Sequence, residues 1–141
     1  MKTVIPIDIV TLGDDNSFHI FISGIVDGNQ CELLIDTGAS FTIFDSRMIP
    51  EMPDDDNESQ RIESASINPG DLKCSIGQIN ELILGSFKCR DRKIALIDLT
   101  HVNEMYKRFT HKRIAGLIGS DFLLEHNAVI DYKKRQLVLQ F

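Results

Sequence analysis

The stretch Leu33-Leu34-Ile35-Asp36-Thr37-Gly38-Ala39-Ser40 is where an apolar run stops abruptly at a single carboxylate. This pattern predicts a buried strand that delivers Asp36 into a tight loop. An ionised aspartate at the end of such a strand is costly to desolvate unless hydrogen bonds or a shared proton compensate for the loss of water. Its position therefore indicates a chemical role for the side chain. Gly38 allows loop conformations closed to other residues and lets a ligand backbone approach closely. Thr37 and Ser40 place hydroxyl groups within local reach of the carboxylate.

A second element lies near the C-terminus, at Gly116-Leu117-Ile118-Gly119-Ser120-Asp121-Phe122-Leu123. The pattern Asp-Thr-Gly-Ala-Ser after an apolar strand resembles the active-site loop of the aspartic proteases. The second element resembles the apolar-apolar-glycine segment and short helix that close each catalytic half in the retropepsin-like branch. In order and spacing, the two elements are similar to bacterial retropepsin-like proteins and to the protease domain of the DNA-damage-inducible protein family, from about Phe18 to the C-terminus.

The alternative for the first element is an ordinary strand-to-turn junction, since Asp and Gly are common turn residues. That alternative explains neither the run of apolar residues before Asp36 nor the presence of the second element. The resemblance implies an all-β protein with one or two short helices, folded as a retropepsin-like closed β-barrel with one catalytic half per chain. A chain of 141 residues is expected to form a single domain, residues 1–141, because it can bury a sizeable core.

The catalytic roles follow from the resemblance. In this family two aspartates share one proton, so that one carboxylate takes a proton from water while the other donates to the substrate carbonyl. The sequence contains one Asp-Thr-Gly motif, and the economical source of the second carboxylate is an identical chain related by a twofold axis. We therefore predict a homodimer in which Asp36 is the catalytic residue, with no cofactor and no metal.

The remaining site residues are also assigned by resemblance. Thr37 is expected to form a hydrogen bond across the dimer axis, and Gly38 to let the substrate backbone lie close. Ser40 is expected to donate to the outer oxygen of the catalytic carboxylate. The active-site loop also contains Ala39, and Ile118 and Gly119 are expected to pack near it as structural support.

A candidate flap lies between two short β-leaning runs, Ile62 to Ile67 and Leu72 to Ile79. They are joined by Asn68-Pro69-Gly70-Asp71, which has strong turn chemistry. In the resembled family a hairpin in this order lies over the cleft and contacts the substrate backbone. An ordinary surface hairpin is the alternative, because the sequence of this segment matches no flap motif.

Other segments complete the expected fold. The chain is predicted to begin with two antiparallel strands, Val4 to Val10 and Phe18 to Val26. A helix is predicted from Thr100 onward, with one apolar face, because apolar residues recur at the helical period. The residues of that face, interpreted as core packing, are Val102, Met105, Tyr106 and Phe109.

The C-terminal segments, Ala128 to Tyr132 and Gln136 to Phe141, are predicted to form a hairpin around Lys133-Lys134-Arg135. Within it, Leu137 to Phe141 is a candidate for pairing between subunits, because terminal strands contribute to the dimer interface in the related proteases.

Composition excludes several classes of protein. The net charge of −6, with dispersed basic residues, argues against a nucleic-acid partner. The three cysteines have no Cys-x-x-Cys spacing, and the four histidines share no metal-ligand spacing, so neither disulfides nor a zinc site is predicted. No apolar run approaches the length of a membrane span, and no signal-peptide core is present. The chain is therefore expected to be cytoplasmic, although one from which a secretion signal had been removed would look the same.

These observations favour an aspartic endopeptidase that hydrolyses polypeptides as a homodimer. The main alternative is a retropepsin-fold module that binds peptides or supports assembly without turnover. The intact Asp36, Thr37 and Gly38 argue against it, because a protein that does no chemistry has little physical reason to keep a poorly solvated acid. A structural β-domain of a larger assembly is a third interpretation, supported only by the acidic loop around Asp54-Asp55-Asp56 and by the additional helix.

Overall fold

The computed structural model describes residues 1–13, 17–53 and 74–141, and in these ranges the chain forms ten strands and two helices. The strands are β1 (Lys2–Pro6), β2 (Asp8–Leu12), β3 (Ser17–Val26), β4 (Asn29–Ile35), β5 (Ile43–Asp45), β6 (Ser75–Leu84), β7 (Phe87–Ile97), β8 (Ile114–Ile118), β9 (Val129–Asp131) and β10 (Gln136–Gln140). The helices are α1 (Thr100–Lys107) and α2 (Ser120–Glu125). Neither helix is long and apolar enough to cross a membrane.

Six strands close into a barrel in the order β3, β4, β8, β5, β7 and β6. The barrel closes because Ile25 and Val26, at the end of β3, pair with Ile83 and Leu82 of β6. The pairs β4–β8 and β5–β7 are parallel, and the other pairs of the barrel are antiparallel. This closed barrel with two short helices confirms the fold class predicted from the sequence.

The N-terminal segment divides between two sheets. Strand β2 pairs with β3, as expected, whereas β1 pairs with β10 in a separate three-stranded sheet of order β1, β10, β9. The division falls at Pro6 and Ile7: Pro6 lacks an N–H, and the Ile7 N–H donates to the carbonyl oxygen of Arg135 at 3.0 Å. One continuous strand over Val4 to Val10 was therefore a wrong prediction.

The C-terminal hairpin forms as predicted, with Lys133-Lys134-Arg135 in its turn. Pairing between subunits along Leu137 to Phe141 is contradicted, however, because β10 is the central strand of its sheet. Both of its sides are occupied, by β1 and by β9. A strand hydrogen-bonded on both sides offers no row of free backbone groups to a further chain. The outer edges of this sheet belong to β1 and β9.

Two apolar clusters make up the core, and alternation along β4 divides its side chains between them. Leu33 and Ile35 pack into the first cluster, with α2 and the terminal sheet. Leu34 packs into the second cluster, which lies beneath α1 and includes Phe21 and Tyr106. Because successive side chains of a strand point to opposite faces, β4 is buried on both faces and ends directly at Asp36.

Helix α1 begins at Thr100, as predicted, but only part of its expected apolar face is buried. Tyr106 is 1% exposed and Val102 is partly buried, whereas Met105 is 41% exposed and Phe109 is 51% exposed. The helix ends at Lys107, so Phe109 lies beyond its last turn. Helix α1 lies against the sheet through Tyr106, which belongs to the second apolar cluster, and through Val102, which packs against that cluster.

The candidate flap residues Asn68, Pro69, Gly70 and Asp71 lie outside the described residues. Residues 74–79 of the second expected flap strand are described, and Ser75 to Ile79 belong to β6, which pairs with β7. These residues are therefore part of a barrel strand that continues to Leu84.

The three cysteines are free and partly buried. Burial raises the pKa of each thiol, that of Cys31 to about 11. A raised pKa keeps the thiols protonated at neutral pH, and protonated thiols are weak nucleophiles.

Candidate active site

The two sequence elements that suggested an aspartic protease meet at the ends of two parallel strands. Ile35 of β4 is in register with Ile118 of β8, so Asp36 and Gly119 leave the sheet side by side. The Asp36 N–H donates to the carbonyl oxygen of Ile118 at 3.0 Å, and the Ser120 N–H donates to that of Ala39 at 2.8 Å. Two backbone hydrogen bonds therefore join the active-site loop to the segment that begins α2.

Asp36 heads a compact loop. The Gly38 N–H donates to Asp36 Oδ1 at 3.0 Å, and the Ala39 N–H donates to the Asp36 carbonyl oxygen at 3.2 Å. Ala39 is 4% exposed, whereas Thr37, Gly38 and Ser40 are exposed and Asp36 is partly buried. Ala39 anchors the loop in the protein, and the loop presents one hydrogen-bonded carboxylate between exposed residues.

Gly38 does not adopt the conformation expected from its sequence context. It is absent from the residues with positive φ, which among the described glycines are Gly13, Gly28 and Gly85. A Cβ atom at position 38 would meet one nearby atom, Asp36 Oδ1, at 3.3 Å. The loop backbone therefore does not require glycine here, and what the missing side chain provides is open space beside the carboxylate.

Neither hydroxyl group of the loop engages the carboxylate within one chain. Among the described residues, Ser40 Oγ forms no hydrogen bond with Asp36, and Thr37 Oγ1 forms none with any group. Both side chains are exposed. Their roles, which were assigned by resemblance, stay predictions.

Gly119 packs directly against the loop. A Cβ atom at this position would lie 2.7 Å from the carbonyl carbon and oxygen of Phe41 and 2.9 Å from the Ala39 carbonyl oxygen. These neighbours are backbone atoms, which cannot move aside as a flexible side chain can. Ile118 is fully buried, and its carbonyl oxygen holds Asp36.

Thr42 and Asp121 form a clamp that sequence reasoning missed. Thr42 Oγ1 donates to Asp121 Oδ1 at 2.8 Å, and the Thr42 N–H donates to Asp121 Oδ2 at 3.1 Å. Thr42 Oγ1 also accepts from the Gly119 N–H at 3.1 Å, and Asp121 Oδ1 accepts from the Phe122 N–H at 2.7 Å. The residue at the N-cap position of α2 is Gly119. Because the two partners are far apart in the chain, no local pattern could have identified them.

Tyr106 and His19 are a second pair that sequence reasoning did not connect to the site. Tyr106 OH lies 2.9 Å from His19 Nδ1. Burial, and after it the negative charge of Asp36, raise the pKa of Tyr106 to about 12. A phenol with this pKa stays protonated, and therefore uncharged, at neutral pH. The sequence signal for Tyr106 was its place on the apolar face of the helix, which indicated packing alone.

The comparisons with known proteins agree with this geometry. A family model described as aspartyl protease matches residues 22–122, which include both the active-site loop and Gly119. A crystal structure of a retropepsin-like aspartic protease from Rickettsia conorii aligns with a TM-score of 0.54 and 19% identity, covering 99% of this chain and 92% of that one.

The crystal structure of the retroviral protease-like domain of Ddi1 from Leishmania major aligns with a TM-score of 0.51 and 15% identity, covering 84% of this chain and 86% of that one. A search of curated protein sequences found no match. At these identities the structural matches establish the fold alone, which is retropepsin-like. Because the family model spans most of the chain, including Asp36 and Gly119, the protein belongs to the aspartyl protease family.

Proposed function

We propose that the protein is an aspartic endopeptidase that acts as a homodimer, with one Asp36 from each chain forming the catalytic pair. The observation that carries the proposal is the junction at the ends of β4 and β8. There the Asp36 N–H is held by Ile118, the carboxylate accepts from the Gly38 N–H, and exposed residues surround it. The junction holds the Asp36 carboxylate in place and leaves it accessible to a second chain and to a substrate.

The second carboxylate is proposed to come from another copy of the chain. The acidic residue of the second sequence element, Asp121, has both oxygens engaged by Thr42, and one of them also by the Phe122 N–H. A carboxylate that is committed to three donors is a poor partner for sharing a proton with Asp36. A twofold axis beside the exposed Thr37 would instead bring two equivalent Asp36 side chains together.

The proposed reaction is hydrolysis of a peptide bond by water. One Asp36 carboxylate takes a proton from the water molecule that attacks the substrate carbonyl, and its protonated partner donates a hydrogen bond to the carbonyl oxygen. The amine leaving group then takes a proton as the carbon–nitrogen bond breaks. Since two like charges this close cannot both ionise cheaply, we expect activity to be highest at acidic to mildly acidic pH and to fall as the shared proton is lost.

The decisive test is Asp36→Asn, examined with a peptide library at acidic pH. The amide has nearly the same shape but cannot serve as the base, so cleavage is expected to fall by about 100- to 10,000-fold. Thermal melting serves as the folding control and is expected to remain close to that of the parent protein, because the amide oxygen can still accept from the Gly38 N–H. Cleavage that survives the substitution would contradict the proposed mechanism. Peptide binding without cleavage, unaffected by Asp36→Asn, would favour a binding module.

A further inference from the structure

Two basic stretches that are far apart in the sequence meet beside the start of β2. One is the turn of the C-terminal hairpin, residues 133–135, and the other joins α1 to β8, residues 108–113. The Ile7 N–H donates to the carbonyl oxygen of Arg135 at 3.0 Å, and Lys112 Nζ lies 2.8 Å from Oδ2 of Asp8, the next residue. Together they form one surface, here called the basic surface, whose cations are Arg108, Lys112, Arg113, Lys133, Lys134 and Arg135.

Lys112 anchors this surface, and its other cations are free. The Lys112 ammonium group pairs with Asp8 at 2.8 Å and with Glu32 at 3.5 Å, and it lies over the Phe21 ring at 5.6 Å from the centroid. The other five side chains are exposed. None of them takes part in an ion pair within the described residues. They therefore carry positive charge that no carboxylate of the described chain neutralises.

The carboxylates that the contacts place at this surface each have a partner there. Asp8 and Glu32 share Lys112, and Asp131 Oδ1 accepts from the Lys134 N–H at 2.9 Å, which closes the hairpin turn. These acidic groups hold the surface together. Because the five exposed cations outnumber them, the basic surface attracts an external anion.

The charge of the whole molecule decides which anion fits. The net charge is −6 although this surface is positive, so the remainder of the molecule is strongly acidic. A long nucleic acid or an anionic membrane extends beyond one patch and is repelled by that remainder, whereas a short acidic segment of a polypeptide meets the basic surface alone. Each stretch also carries an exposed aromatic ring, Phe109 or Tyr132, which can contact apolar side chains of such a segment.

We propose that the basic surface binds an acidic segment of the polypeptide substrate, outside the active site. The inference deepens the proposed function and rests on it. Arg113 directly precedes Ile114, at the opposite end of β8 from Ile118 and the active-site loop. Four residues of strand correspond to about 13 Å, so an extended substrate needs about four residues or more between the bond that is cleaved and its acidic segment.

Direct binding tests the surface without any cleavage. Fluorescence anisotropy of a labelled oligoglutamate peptide, at about pH 6 where its carboxylates are ionised, is expected to show binding that weakens as salt is added. A labelled oligolysine peptide is the control for non-specific association. Absence of salt-dependent binding to oligoglutamate would overturn the inference.

Three charge reversals locate the binding. Lys134→Glu and Arg113→Glu each alter one stretch of the basic surface, and Lys93→Glu alters an exposed lysine on β7 that has no ion pair within the described residues. All three change the net charge equally, and melting temperatures check that the variants fold. We expect the first two to raise the oligoglutamate Kd about three- to tenfold and Lys93→Glu to change it less than about twofold. Equal effects in the three variants would indicate net charge alone and would contradict the inference.

Other anions test the choice of a polypeptide. A single-stranded oligonucleotide, and vesicles of phosphatidylserine and phosphatidylcholine, are measured in the same buffer. We expect both to bind more weakly than oligoglutamate, because the acidic remainder of the protein repels them. Tighter binding of either one would overturn the assignment to an acidic polypeptide.

Cleavage kinetics connect the surface to catalysis. Two substrates share one cleavage sequence, and one of them continues into an acidic segment. In the parent protein we expect the extension to lower KM about three- to tenfold without changing kcat, and we expect Lys134→Glu to abolish this difference. An extension that leaves KM unchanged would contradict the inference even though the protein cleaves peptides. Failure to cleave either substrate would contradict only the proposed function, because oligoglutamate binding is measured independently.

Discussion

At the scale of single residues, the two glycines that were assigned to the site by resemblance have different physical roles. Gly119 is confined by the backbone of Phe41 and Ala39, to which an added Cβ atom would come within 2.7 to 2.9 Å. Gly38 has one neighbour at 3.3 Å, the carboxylate of its own loop, and an ordinary φ. The first glycine is therefore needed for packing, and the second leaves room beside the Asp36 carboxylate.

This difference gives a paired prediction. Gly119→Ala forces backbone atoms apart and is expected to destabilise the protein by about 1–3 kcal/mol. Gly38→Ala is expected to change stability by less than about 1 kcal/mol, because the contact is with the end of a side chain, but to raise KM by filling the space beside Asp36. Urea unfolding and peptide-cleavage kinetics measure the two effects. Equal losses of stability in the two variants would be inconsistent with the contacts described.

At the scale of elements, the Asn103 side chain joins α1 to the backbone of strand β8. Asn103 satisfies both backbone groups of Ile114, a residue with no exposed surface at the start of β8. Strand β8 leads to Gly119, and α1 carries Tyr106. The same attachment therefore fixes the helix relative to the site.

Asn103→Ala is expected to destabilise the protein by about 1–3 kcal/mol, because it leaves a buried N–H and a buried carbonyl without their partners. Glu104→Ala is the matched control, since Glu104 is exposed and its contact is a 4.0 Å pairing with the exposed His101. Chemical denaturation measures the free energy of unfolding of both variants. If Asn103→Ala were as stable as Glu104→Ala, the attachment of α1 would have to lie elsewhere.

At the scale of the whole molecule, the proposed active site requires two chains. The β10 strand cannot extend the sheet of a second chain, because β1 and β9 occupy both of its sides. The exposed active-site loop belongs to the contact proposed here, and Thr37 has a free hydroxyl there within the described part of one chain.

Thr37→Ala should accordingly weaken the dimer. Two symmetry-related hydrogen bonds would be lost, which corresponds to a rise in the dissociation constant of about tenfold or more. Sedimentation velocity over a range of concentrations measures the change, with Ser40→Ala as the control from the same loop. A dissociation constant that is the same for Thr37→Ala and the parent protein would remove Thr37 from the proposed interface.

The local sequence predicted β3, β4 as the apolar strand that ends at Asp36, and the position of the loop that follows β4. The apolar run ending at Asp36 and the helical spacing around Tyr106 are both visible within a few neighbouring residues. A short segment shows in its own sequence whether it can form a strand buried on two faces, or a turn that holds a carboxylate. The sequence by itself therefore determined the family and identified Asp36 as the candidate catalytic residue.

Contacts between distant segments were decided only by the tertiary structure. The Thr42–Asp121 clamp, the His19–Tyr106 hydrogen bond and the central place of β10 each join residues whose local sequences give no sign of one another. The predicted burial of Met105 and Phe109 failed for the same reason, because periodicity identifies an apolar face but not how much of it the sheet covers. Sequence periodicity reports which residues can be buried, whereas the packing of elements determines which residues meet.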